Sequence, residues 1–107
     1  MKTKVLVSPG FGAGWSTWNS EAKYELATDA ELIRLFEAGD RDAFEARANH
    51  ILQAVTGDEA DTVYMGGYEQ LRVEAVEGDW LINECDGSES LEEIMTAAWR
   101  PSGKAIP

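Results

Sequence analysis

The chain begins with a short apolar run and a loop rich in glycine and tryptophan. Residues 4–7 consist mainly of valine and leucine, which predicts a first, buried strand. In the loop that follows, three glycines alternate with other residues, and two tryptophans come directly after them. This composition is typical neither of a helix nor of a strand, so we expect an irregular segment at residues 8–19.

Two stripes of apolar residues at helical spacing come next. Residues three or four positions apart lie on the same side of an α-helix, so each stripe predicts an amphipathic helix with one buried face. Thr28 or Asp29 can cap the first helix, and Gly39 suits its C-terminal end. Asp40 and Gly57 bound the second helix in the same way. The apolar residues of the two stripes are Leu32, Leu35, Phe36, Phe44, Ala48, Ile51, Leu52 and Val55.

In the second half of the chain the apolar period changes from that of a helix to that of a strand. Residues 62–65, 71–76 and 80–85 are the three candidate strands. Residues 77–79, with a central glycine, predict a hairpin turn between the last two strands, since glycine adopts a positive φ without strain. A further turn is expected at residues 86–88.

The last element predicted is a helix. Ser90 and Glu93 have the spacing of a capping box and would open a helix that extends to Trp99 and stops before Pro101. Helices inserted between a first strand and a later group of strands are typical of the α+β class. We therefore expect a small mixed or antiparallel sheet of about four strands, with two to three helices covering one face.

Composition narrows the class of protein. With 107 residues, of which 44% are apolar, the chain suits one small globular domain, residues 1–107, and is too short for a Rossmann or TIM-barrel enzyme. No apolar run is long enough to span a bilayer. Cys85 is the single cysteine, so no internal disulfide forms and a reducing cytoplasm is the expected compartment. We expect Cys85 to be a small core residue.

The negative charge is concentrated in one part of the chain. The net charge is -11, and residues 58–99 contain twelve acidic residues against one basic residue, Arg72. Such a charge opposes direct binding to nucleic acid or to an anionic membrane, and it attracts basic partners. The alternative is that it only maintains solubility.

The glycine- and tryptophan-rich loop is the candidate ligand site. Closely spaced glycines after a strand let main-chain amides approach an anion, although the pattern matches neither a dinucleotide-binding loop nor a P-loop. A nucleotide signal is the candidate ligand, and the alternative is a structural turn whose tryptophans join the core. The residues proposed for this site are Gly10, Phe11, Gly12, Gly14, Trp15, Trp18 and Tyr68.

No residue constellation indicates an enzyme. A nucleophilic pair of Cys85 and His50 would require the two to meet in space with an orienting partner, and a lone histidine does not make a usual zinc site. The carboxylates between residues 84 and 93 do not have the spacing of a calcium loop, so we interpret them as a solvated acidic rim or as carboxylates at the N-terminus of the last helix. No catalytic residue, metal or cofactor is predicted.

Two stretches of the chain carry a resemblance to a known group of proteins. Residues 5–18, VLVSPGFGAGWSTW, and residues 85–90, CDGSES, resemble those of small bacteriophage and prophage proteins, in which the second stretch usually reads YDGSE. Cys85 departs from that pattern, while residues 65–68 and 71–73 fit between the two ends. The resemblance implies phage origin and expression in a bacterial host cytoplasm. It implies no catalytic residue, and small acidic phage proteins often block host nucleic-acid machinery or defence.

The charge and the resemblance together predict a non-enzymatic, anti-CRISPR-like inhibitor that imitates nucleic acid. The expected partner is a basic host protein, either a CRISPR effector or another nucleic-acid-binding defence component. A homodimer formed through an exposed Trp15 or Trp18 is a further alternative. The predicted partner-binding residues are Glu74, Glu77, Asp79, Trp80, Glu84, Asp86 and Glu89.

Overall fold

A computed structural model describes residues 2–12 and 14–94 and has an α+β fold with three α-helices and four antiparallel strands. This confirms the predicted class. Three short 3-10 helices lie at Ser16–Trp18, Ser20–Ala22 and Tyr68–Gln70. The main elements are β1 (Lys2–Val7), α1 (Lys23–Thr28), α2 (Ala30–Glu37), α3 (Arg41–Thr56), β2 (Arg72–Glu77), β3 (Asp79–Cys85) and β4 (Ser88–Ile94).

The four strands form two antiparallel pairs, β1 with β2 and β3 with β4. The predicted hairpin at residues 77–79 is therefore wrong, because Gly78 (φ +74°) leads the chain from one pair into the other. The hairpin lies instead between β3 and β4. There Asp86 (φ +52°) and Gly87 (φ +87°) are both left-handed, the conformation of a type I′ turn.

The predicted C-terminal helix is also wrong over the residues that the structure describes. Ser90 and Glu93 belong to β4, where Leu91 lies opposite Ile82 of β3. The capping box is a local signal, and the strand pairing of the hairpin overrides it. The rest of that predicted helix, including Trp99, lies outside the described residues.

The ends of the two predicted helices are confirmed. The Asp29 side chain accepts a hydrogen bond from the Leu32 amide, and Asp40 caps α3 in the same way. Gly57 closes α3 in the left-handed conformation (φ +76°). Asp29 also binds the Arg47 guanidinium at 3.0 and 3.1 Å, so it ties the start of α2 to the middle of α3. This hydrogen bonding to Arg47 lowers the pKa of Asp29 from its usual value.

Residues 62–65 do not form the predicted strand. The Val63 amide donates to the Asn49 side chain at 2.7 Å, and the Tyr64 amide donates to Asn19 at 2.7 Å. Side chains thus accept the bonds that a neighbouring strand would otherwise accept. The short helix α1 was not predicted.

Residues 5–7 of β1 are buried and place apolar side chains on both faces of the strand. Leu6 belongs to the main core around Trp15 and Phe44, whose rings lie 5.2 Å apart. Val5 and Val7 belong to a smaller cluster that includes Ile82 of β3. Trp15 is fully buried, so the structure does not leave it exposed for a dimer interface.

Candidate functional site

The glycine- and tryptophan-rich loop surrounds a buried carboxylate, that of Glu89. Only 1% of Glu89 is exposed. One carboxylate oxygen accepts the Ser8 amide at 2.9 Å. The other accepts the Trp15 amide at 2.7 Å, the Thr17 amide at 3.0 Å and the Thr17 hydroxyl at 2.6 Å. We call these four donors the carboxylate cradle.

The loop thus holds an anion, as its glycines suggest, but the anion belongs to the protein itself. Gly14 is buried within the cradle, where an added Cβ would lie 2.8 Å from the Thr17 hydroxyl and 3.1 Å from a Glu89 oxygen. A phosphate group would need the position that this carboxylate occupies. In the structure the cradle is therefore a structural site, and Glu89 is removed from the predicted partner surface.

Main-chain contacts continue on both sides of the cradle. The Glu89 amide donates to the Ser8 carbonyl at 2.8 Å, and the Gly12 amide donates to the Asp86 carbonyl at 2.7 Å. The Ser88 hydroxyl donates to the Pro9 carbonyl at 2.7 Å. The loop consequently attaches the β3–β4 hairpin to the rest of the fold.

The loop at residues 65–68, which contains the proposed ligand residue Tyr68, contacts the glycine- and tryptophan-rich loop. Gly67 lies against Gly14 so closely that an added Cβ would lie 2.5 Å from the Gly14 carbonyl oxygen. The Ser8 hydroxyl also donates to the Gly67 carbonyl at 3.3 Å. The two loops are therefore in direct contact at this point.

The remaining residues proposed for a ligand lie in different surroundings. Phe11 is 72% exposed, whereas Tyr68 packs against Phe36 and Phe44 and lies beneath the Arg41 guanidinium. Gly10 lies directly against the Gln70 side chain, and Gly12 is exposed in the turn with φ +92°. The structure does not gather these residues around one pocket.

The carboxylates predicted to bind a partner do not form one continuous surface. Glu74 forms an ion pair with Arg72 at 3.3 Å. Glu84 accepts the Trp18 indole N–H at 3.1 Å and the Gly87 amide at 2.7 Å, and these bonds lower the pKa of its carboxyl. Glu89 is buried, whereas Glu84 and Asp86 are exposed near the turn of the hairpin, and Glu84 is engaged by these two hydrogen bonds.

A second group of carboxylates lies at the opposite, open end of the hairpin. Strand pairing places Glu93 opposite Trp80 on one face of the hairpin, and Glu92 opposite Leu81 on the other face, which is also the face of Asp79. The Glu77 amide donates to a Glu93 carboxylate oxygen at 3.3 Å. We call the four exposed carboxylates at this end the carboxylate patch: Glu77, Asp79, Glu92 and Glu93.

Two members of this patch were missed as interface residues. The sequence pattern assigned Glu92 and Glu93 to a helix, and only the pairing of β4 with β3 places them beside Asp79 and Trp80. The alternation of apolar and polar residues that predicts a strand is weak within residues 88–94, because the two polar residues Glu92 and Glu93 are adjacent. The sequence pattern therefore did not predict this strand.

An open aromatic groove adjoins the carboxylate patch. The rings of Tyr24 and Trp80 stack with centroids 5.9 Å apart and planes inclined by 14°. They line a groove of about 660 Å³ together with Ile82 and two charged residues, Lys23 and Asp79. Trp80 thus lies beside the carboxylates, as its proposed anchoring role requires, and Tyr24 was not predicted to join it.

The other candidates for chemistry are exposed. Cys85 is an exposed thiol, which corrects the expectation that it belongs to the core, and His50 is exposed on α3. Residues 2–12 and 14–94 contain no group of three metal-binding side chains arranged to hold an ion. Within the same residues, no helix has the length and apolar character needed to cross a membrane.

Comparison with protein-family models, with curated proteins and with solved structures finds no match to this chain.

Proposed function

We propose that the protein is a small, non-enzymatic inhibitor that binds a basic, nucleic-acid-binding protein through the carboxylate patch. One observation carries the proposal. Residues 58–94 contain twelve carboxylates and a single basic residue, Arg72, which Glu74 already engages. Four of the exposed carboxylates lie at the open end of the β3–β4 hairpin, where Asp79 borders an aromatic groove. Asp79 and Glu92 share one face of the hairpin, and Glu93 lies on the other face and accepts the Glu77 amide.

The chemistry of nucleic-acid binding explains why such a surface would inhibit. A protein that holds nucleic acid presents arginine and lysine to a row of phosphates. The carboxylate patch offers negative charge to the same side chains and would form charge-assisted hydrogen bonds with them. A protein bound there excludes nucleic acid from the surface that it covers. Trp80, stacked on Tyr24 at the edge of the patch, provides an apolar anchor.

The biological setting of the proposal comes from the resemblance described above. Similarity of residues 5–18 and 85–90 to small phage and prophage proteins supports a phage origin and a bacterial cytoplasm as the place of action. A nucleic-acid-binding component of host defence, such as a CRISPR effector, is then the proposed target. The alternative of a nucleotide-sequestering protein is less well supported, because the carboxylate of Glu89 fills the anion position of the loop.

The proposal is tested by affinity capture from a nuclease-treated bacterial lysate, with elution first by duplex DNA and then by salt. We expect nucleic-acid-binding proteins to be captured and then released by DNA, because both ligands compete for the same basic surface. The variant Asp79→Lys/Glu92→Lys should lose these proteins. The variant Asp42→Lys/Glu59→Lys changes the net charge equally at exposed positions outside the patch and should retain them.

Equal capture by the two double variants would contradict the proposal, because the charge of the whole protein and not the patch would then determine binding. Captured proteins that duplex DNA does not release would contradict the proposed competition with nucleic acid.

A further inference from the structure

A separate cleft lies beside Trp18, whose indole contacts Glu84 near the turn end of the β3–β4 hairpin. It has a volume of about 280 Å³ and is lined by the rings of Trp18 and Tyr64 and by two acidic residues, Glu21 and Asp61. The rings are partly exposed, 40% for Trp18 and 44% for Tyr64, and their centroids lie 5.4 Å apart. Among the described residues that line the cleft there is no basic side chain.

The walls of this cleft are held in place by hydrogen bonds. The buried Asn19 side chain donates to the Tyr64 carbonyl at 3.1 Å and accepts the Tyr64 amide at 2.7 Å. The Trp18 indole donates to Glu84 at 3.1 Å, and the Gln53 side chain donates to the Asp61 carbonyl at 3.0 Å. A ligand would therefore meet aromatic rings that are already positioned, and less conformational entropy would be lost on binding.

The cleft combines the two features that recognise an organic cation. Aromatic faces attract a cation through their quadrupole, and carboxylates attract it through charge. A planar guanidinium can stack on an aromatic ring while its N–H groups donate to carboxylate oxygens, which the compact ammonium of lysine does less well. The net charge of -11 also favours approach of a cation to the protein as a whole.

We propose that this cleft binds an arginine side chain of the basic protein partner. The inference rests on the proposed function, because it assigns the partner a second point of attachment. Glu84, at the turn end of the hairpin, contacts Trp18 and so connects the cleft with the strand that begins in the carboxylate patch. A partner that extends along β3 would reach both sites.

The test uses a capped Gly-Arg-Gly-Arg-Gly peptide and the same peptide with citrulline in place of both arginines. Citrulline has nearly the shape of arginine and lacks the charge. Binding is followed by NMR through the indole N–H signals of the protein, with the Trp18 signal assigned from the variant Trp18→Phe. We expect the arginine peptide to shift the Trp18 signal saturably, with a Kd of roughly 0.1–1 mM, and the citrulline peptide to bind at least about tenfold more weakly.

Isosteric variants then locate the site. Glu21→Gln/Asp61→Asn should weaken binding of the arginine peptide at least about tenfold. Glu45→Gln/Glu59→Gln removes the same charge outside the cleft and should leave the affinity within about twofold. The signal of the buried Trp15 indole, which donates to the Leu26 carbonyl, reports whether each variant keeps its fold.

The outcomes separate this inference from the proposed function. If the arginine and citrulline peptides bind equally, or if the Trp18 signal does not respond, the cleft is not an arginine site. If binding of the arginine peptide is lost in the patch variant Asp79→Lys/Glu92→Lys but is unchanged in Glu21→Gln/Asp61→Asn, the patch is supported and the cleft is refuted. The opposite result supports the cleft, and the patch is then judged separately by the DNA-released capture described above.

Discussion

Removal of the Glu89 carboxylate should destabilise the fold more than any exposed acidic substitution. The variant Glu89→Ala leaves the Ser8, Trp15 and Thr17 amides in the buried cradle without their acceptor. An unsatisfied buried donor costs about 1–3 kcal/mol. The Ser8 and Trp15 amides are fully buried and the Thr17 amide is partly buried, so together they set a loss of about 3 kcal/mol. Relief of the carboxylate's own desolvation limits the total to about 3–5 kcal/mol.

A loss of this size is a large part of the free energy of unfolding, which is about 5–15 kcal/mol for a small domain. It corresponds to a fall in Tm of more than about 12 °C for a chain of this length. The isosteric variant Glu89→Gln should lower the free energy of unfolding by less, about 1–3 kcal/mol. Its carbonyl oxygen can still face the three donors from Trp15 and Thr17, while its NH₂ group faces the Ser8 amide, which is also a donor.

Urea denaturation followed by far-UV circular dichroism measures these differences. Glu59→Ala serves as the control, since Glu59 is exposed, and it should change the free energy of unfolding by less than about 0.5 kcal/mol. If Glu89→Ala is too unstable to purify, Glu89→Gln provides the comparison. A free energy of unfolding for Glu89→Gln equal to that of the control would refute the role assigned to the cradle.

Two further substitutions test contacts that hold separate segments of the fold together. Asp29→Asn keeps a capping side chain and loses the ion pair with Arg47. Its free energy of unfolding at pH 7 should therefore be about 1 kcal/mol lower than that of the unsubstituted protein. Because Arg47 lowers the folded-state pKa of Asp29, this stabilisation is present above the ordinary pKa and is lost as the pH falls through the lowered one. The deficit should accordingly shrink in denaturation curves recorded at pH 3, and a deficit independent of pH would contradict the assignment. Gly67→Ala brings a Cβ to 2.5 Å from the Gly14 carbonyl oxygen, so its Tm should fall by an amount equivalent to about 1–3 kcal/mol, and an unchanged Tm would exclude the close contact of the two loops.

The helices α2 and α3 were predictable because their signals are local. Asp29 and Asp40 lie within three residues of the amides that they cap, and Gly57 closes α3 through its own φ. The apolar stripes between these residues identify the buried face without knowledge of what covers it. Signals of this kind do not depend on the rest of the chain.

The pairing of the strands was not predictable in the same way. Glycine at position 78 and the pair at positions 86 and 87 are both turn signals, yet only the second makes a hairpin. The choice depends on β1, which is distant in the sequence and pairs with β2. The same dependence on a partner strand placed Ser90 and Glu93 in β4 rather than in a helix.

The sequence by itself determined how much negative charge the second half carries and that the glycine-rich loop can expose amides to an anion. Both properties follow from residue type and spacing alone. Only the tertiary structure decided that the anion is Glu89, that Glu84 binds Trp18, and that Glu92 and Glu93 join Asp79. Each of these outcomes depends on contact between residues far apart in the chain or across a hairpin, and such contacts are set by the packing of the whole fold.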